Sequence, residues 1–192
     1  MAFPLDFYWH PRKAMDAVAK FDGPKVGLLF SFGRGVILSL FFYLPFHLLK
    51  FKPITPALLK PFDTPDYFLY AAGFWPLFGV LSCVYVSGAT YVLFRLCGYR
   101  ADLDKIINLG GLLDLAIGIV ILLFDWLMVA VNFHTDPVFL GFAHIIIADP
   151  WSIAVSAIFF RKYFSVPYGL SVVAGILVRI LYLPIGVVFI RT

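Results

Sequence analysis

Charged side chains make up only 14% of the 192 residues, against about 25% in a soluble domain, while apolar ones make up 62% and mean hydropathy is +0.94. That shortage excludes a soluble globular fold. Glutamate and glutamine are missing altogether, so all eleven acids are Asp, a bias that by itself excludes no chemistry. Cysteine is nearly missing. Cys83 and Cys97 are fourteen residues apart on one expected helix, about 21 Å along its axis, too far for a bridge. Neither has a second cysteine at metal-ligand spacing, so both read as small buried hydrophobes. Catalytic signatures are also lacking: there is no GxSxG elbow, no HExxH and no paired Cys/His constellation. No glycine follows an expected strand, which removes a phosphate-cradling loop. No run is long enough for a second domain, and there is no internal repeat or low-complexity tract.

The chain instead offers long apolar runs. About 20 apolar residues cross about 30 Å of hydrocarbon, and on that measure five membrane helices are expected, near Val26–Leu49, Tyr67–Leu96, Ile106–Asn132, Asp149–Phe164 and Gly169–Ile190. The fourth is short and opens on Asp149-Pro150, an N-cap followed by proline at the first helical position. The breaks FKPITP, KPFDTPDY, GYRAD, HTDP and SVPYG carry Pro, Gly or Asp where helices must stop. Residues 1–25 form a more polar segment, in which Pro11–Phe21 places Ala14, Met15, Ala17, Val18 and Phe21 at helical spacing before Asp22-Gly23-Pro24. This predicts a short amphipathic helix on the membrane surface. The segment has no small-x-small cleavage site and is not expected to be a signal peptide. The fold expected is therefore all-α: an integral membrane protein with an amphipathic segment at 1–25 and a five-helix transmembrane domain at 26–192. Gly33, Gly35, Gly73, Gly79, Gly88, Gly110, Gly111 and Gly118 are expected to let its helices approach closely.

The net charge of +4 raises the question of nucleic acid, but Lys and Arg cluster at the ends of apolar runs, not on one basic face. They act as topology signals, and no nucleic-acid partner is expected. With the N-terminus cytoplasmic, Arg12, Lys13, Lys20, Lys25, Arg95, Arg100, Lys105, Arg161 and Lys162 fall inside, whereas Lys50, Lys52, Lys60 and Arg191 fall outside. The segment Phe133–Ala148 has no Lys or Arg, in keeping with an exterior loop. The C-terminus is then outside.

Two arginines remain within the spans. Arg34, Asp114 and Arg179 lie about eight, eight and ten residues from the cytoplasmic ends of their helices, roughly 12–15 Å deep. Ionisable groups at that depth turn inward and pair. Asp114 is therefore expected to bridge Arg34, Arg179 or both, either as a clamp between helices or as part of a relay. Asp125, eleven residues further along the same face, belongs near the outer surface with Trp126 at the interface. His47, His134, Asp136, His144 and Asp149 share that outer side. Their spacing has no specificity for a metal, so loop and capping roles are expected, with neither metal nor cofactor.

The order of parts resembles the Yip (Ypt-interacting protein) membrane-domain family. HPRKAMDAVAK resembles its short surface helix, and YVLFRLCGYRADLDKIINLGG is similar to its passage from the second helix through a Gly into the third. DPWSIAVSAIFFRKYFSVPYGLSVVAGILV resembles its Trp-led fourth helix coupled closely to the fifth. The likeness spans nearly the whole chain. It implies a non-catalytic protein of the bacterial inner membrane that associates with lipids and with other membrane proteins or with itself. The family often has Tyr and Pro early in the third helix where this chain has Gly110 and Asp114, so the buried acid is not a family feature. The long N-terminal region through which eukaryotic members meet small GTPases has no counterpart here, and a GTPase partner is not expected. The functional expectation is a scaffold or accessory subunit and not an enzyme. The alternative is a small transporter, channel or lipid-moving protein that uses the Arg34, Asp114 and Arg179 level as its path.

Overall fold

The computed structural model describes residues 7–53, 64–131 and 144–189, and these are helical, with no strand among them. Helix α1 is Pro11–Val18, α2 is Lys25–Leu48, α3 is Tyr67–Leu96, α4 is Leu103–Ala130, α5 is Asp149–Phe164 and α6 is Tyr168–Phe189. All five expected long helices form. Three of them, α2, α3 and α4, are long and apolar enough to cross a membrane; α6 contributes a shorter apolar stretch, Tyr168–Tyr182.

Local chemistry sets the ends. Helix α4 starts three residues before the expected Ile106 because the Asp102 carboxylate accepts from the N–H groups of Asp104 and Lys105 at 3.0 and 3.3 Å. Helix α3 closes with Gly98 at φ +82°, the N–H of Tyr99 reaching back to Phe94 and that of Gly98 to Arg95. Helix α2 ends the same way on Lys50, at φ +57°, with the Phe51 ring packed on Phe46. Within α2 the segment Ser39–Tyr43 widens into a π turn. Pro45 has no N–H to give the Phe41 carbonyl four residues earlier, and the Trp126 indole of α4 donates to that carbonyl at 2.6 Å. The proline's defect becomes a tie between two helices.

Packing divides the bundle into two sets. Helix α2 lies against both α3 and α4, while α5 and α6 pair with each other and join the rest chiefly through α3. The α2 contacts use small residues spaced by four, Gly27, Ser31, Gly35 and Ser39, all buried. A Cβ on Gly27 would collide with the backbone at Ile107, and one on Gly111 with Gly27 itself. A Cβ on Gly35 would stand 2.5 Å from the Pro76 Cα, and one on Gly79 2.5 Å from the Ser31 carbonyl oxygen. Of the glycines expected at contacts, Gly35, Gly79 and Gly111 have that role. Gly33, Gly73 and Gly88 face open space, Gly110 nears only the Ser87 hydroxyl, and Gly118 seats a side chain. Gly27, at the tightest crossing, was not among those expected.

Two apolar clusters close the ends. One joins Met15 and Val18 of α1 to Phe94, Leu109, Phe160 and Phe164; the other, at the opposite end, is built on Tyr43, Phe46, Phe68 and Trp75. The first corrects the reading of α1. Its apolar face, Ala14, Met15 and Val18, was expected to meet lipid but is buried against the bundle. Tyr8 donates to the Ala116 carbonyl at 2.7 Å, so the chain entering α1 leans along α4. On the outer side of α1 the Asp16 carboxylate accepts from Tyr163 at 2.7 Å and pairs with Lys162 at 3.0 Å, tying it to the last turn of α5. These two donors, Tyr163 before Lys162, hold the Asp16 carboxyl below its ordinary pKa.

Candidate functional site

Arg34, Asp114, Asp149 and Arg179 pair one to one. Arg34 of α2 sits 2.9 Å from Asp114 of α4, as expected, and the Asp114 side chain is only 12% exposed. The same Asp114 oxygen accepts from the Tyr182 hydroxyl of α6 at 3.1 Å, a partner not foreseen. Gly118, one turn beyond Asp114, leaves the space in which the arginine stem lies: a Cβ there would stand 2.5 Å from Arg34 Nε. Arginine, carboxylate and glycine thus form one seat.

Arg179 departs from expectation. It pairs with Asp149, and not with Asp114. The reason is topological: α5 and α6 are antiparallel neighbours, which brings the first residue of α5 beside the middle of α6. Asp149 is therefore not the N-cap of α5, a place taken by Ala148. His134 and Asp136 lie outside the described residues, as does the side chain of His144. His47 is half-buried in the last turn of α2, and Asp125 is half-buried on α4. Among the described residues no three His, Cys or Asp side chains gather as metal ligands.

Arg34, Asp114, Arg179 and Tyr182 line one cavity of about 80 Å³ between the two helix sets. Hydroxyls of Ser87, Thr90, Ser152 and Ser156 share its wall, with Val86, Leu113, Ile117 and Val178 supplying apolar surface. Two polar atoms of the ion pair, Arg34 Nε and Asp114 Oδ2, are buried without a hydrogen-bond partner. Such groups are costly to bury unsatisfied.

Asn108 is a site residue that sequence reasoning missed. Fully buried on α4, its carbonyl oxygen accepts from the Gly27 N–H at 2.8 Å, and its amide donates to Gly23 at 2.7 Å and Phe21 at 3.4 Å. It satisfies an orphan donor in the first turn of α2 and holds the α1–α2 connection. The signal was present: an amide near the start of an apolar run. The two cysteines separate, Cys83 being buried near the Ile107 carbonyl whereas Cys97, expected buried, is exposed at the end of α3.

Comparison with known protein families, with curated proteins and with solved structures finds no match.

Proposed function

We propose that this chain is a five-span, non-catalytic membrane protein of Yip-like organisation, a scaffold or accessory subunit that associates with other membrane proteins. The observation that carries this reading is the pairing of Arg34, Asp114, Asp149 and Arg179 across helix contacts. Arg34–Asp114 ties α2 to α4, Arg179–Asp149 ties α5 to α6, and Tyr182 joins the two sets through Asp114. Charges matched in this way hold one packing arrangement. The Tyr182 contact also supports five spans, because it sets α6 at the depth of Asp114 on α4. The Lys and Arg distribution supports a cytoplasmic N-terminus and an outer C-terminus.

The test replaces the whole set: Arg34→Met, Asp114→Leu, Asp149→Leu and Arg179→Met. Apolar residues of similar volume substitute for buried pairs at little cost. The scaffold reading expects this variant to fold and to retain, in a mild-detergent pull-down, the partners held by the natural protein. A variant that melts normally and keeps its partners, yet fails to complement a deletion strain, would defeat it. That outcome would promote the second reading, a small transporter, which the cavity at the charged level favours. Orientation is read from Cys97. Membrane-impermeant maleimide should label it in inverted vesicles and not in right-side-out cells, while buried Cys83 stays protected; the reverse pattern overturns the orientation.

A further inference from the structure

We infer that the cavity between the two helix sets is a binding site for one small uncharged molecule carrying both a hydrogen-bond donor and an acceptor, of the short amide or diol class. The inference is independent of the scaffold reading and concerns occupancy alone, whether the molecule is carried across or held.

Three features of the cavity define the guest. The first is complementarity. Hydroxyls of Ser87, Thr90, Ser152 and Ser156 line the cavity; those of Thr90 and Ser152 donate to the Val86 and Asp149 carbonyls and keep lone pairs to accept with, and a serine hydroxyl can donate as well as accept. A guest carrying one donor and one acceptor answers both kinds of group together. The second is charge. Arg34 with Asp114 and Arg179 with Asp149 sum to zero, so an entering ion would bring an unbalanced charge into a low-dielectric interior, whereas a neutral guest would not. The third is size and lining. A volume of about 80 Å³ suits a molecule of a few heavy atoms. The Ser156 hydroxyl and the apolar side chains of Leu113 and Ile117 share the wall, which mixes polar and apolar surface as a short amide or diol does in return.

The experiment uses the full-length protein in mild detergent, with acetamide and ethylene glycol as neutral probes and acetate and methylammonium as charged ones of similar size. Each probe is tested on the natural protein and on Ser156→Leu, which fills the cavity without touching the ion pair; Gly110→Leu serves the same purpose if the first variant does not fold. Weak effects of a co-solvent on any protein act on both forms alike, so the difference between them reads the site. At about ten times its Kd a neutral probe should raise the melting temperature of the natural protein by about 3–6 °C beyond its effect on the filled variant. Saturation-transfer NMR on the natural protein reads the same discrimination with no variant: transfer to acetamide and ethylene glycol, and none to acetate or methylammonium. A preference for either charged probe overturns the proposal. So does the absence of a differential shift and of transfer with every probe, which would mean that the cavity holds water alone.

Discussion

Removing the Asp114 carboxylate tests the interior pair most directly. Asp114→Leu leaves the Arg34 guanidinium, 19% exposed, with no counter-charge, and the Tyr182 hydroxyl with no acceptor. Breaking a buried pair from one side costs about 3–5 kcal/mol, and a stranded hydroxyl adds about 1 kcal/mol, so a loss of about 4–6 kcal/mol is expected. Arg34→Met is milder. The carboxyl left behind keeps Tyr182 as a donor and can take up a proton, which a guanidinium cannot give up, so about 1–3 kcal/mol is expected. The double variant strands only Tyr182 and should cost about 1–2 kcal/mol. The cycle therefore predicts a coupling on the order of 5 kcal/mol, read by urea unfolding of the purified variants in mild detergent with a secondary-structure signal. If the double variant loses the sum of the two single losses to within about 0.5 kcal/mol, the residues do not interact and the site as described is wrong.

Asn108→Ala removes three hydrogen bonds, leaves the buried Gly27 N–H unsatisfied, and should cost about 2–4 kcal/mol in the same assay; a loss under about 0.5 kcal/mol would deny the clamp. Gly111→Ala must push α2 and α4 apart, since its Cβ would meet the Gly27 backbone, and should cost about 3 kcal/mol or more, whereas Gly88→Ala, facing open space, should be neutral or stabilising by up to about 1 kcal/mol. Equal melting of those two variants would refute the crossing geometry. The Asp16 carboxyl is held below its ordinary pKa by Tyr163 and Lys162, so its contribution is present above the unfolded value of about 4 and is lost as pH falls through the folded value. Asp16→Asn should therefore lower stability slightly at neutral pH and converge with the natural protein as pH falls below about 4, which flattens the acid limb; an unaltered acid limb would show that the contact does not hold α1 in solution.

Much of the fold was legible in the sequence because its signals are local. Hydropathy over 20 residues marks an apolar helix without knowledge of its neighbours, and α3 and α5 form over the expected Tyr67–Leu96 and Asp149–Phe164. Prolines, glycines and Asp102 end or start helices through backbone geometry and single hydrogen bonds within a few residues. The cost of a charge in lipid is likewise local to the residue, so the sequence alone could say that Arg34, Asp114 and Arg179 need partners.

Which partner each one takes was decided only by tertiary structure. Depth along a helix is readable from residue counts, but the direction a side chain faces relative to another helix depends on which helices are neighbours. The antiparallel pairing of α5 and α6 brings Asp149 to Arg179 and leaves Asp114 to Arg34 and Tyr182. Gly27 and Gly33 have the same local chemistry, and only the crossing of α2 over α4 makes one indispensable and leaves the other facing open space. The apolar face of α1 carries the same pattern whether lipid or protein covers it; the bundle end formed by Phe94, Phe160 and Phe164 made that choice. The cavity is the clearest case, for it is a volume left between two sets of helices that no stretch of sequence encodes on its own, and it is there that Arg34, Asp114, Arg179 and Tyr182 come together.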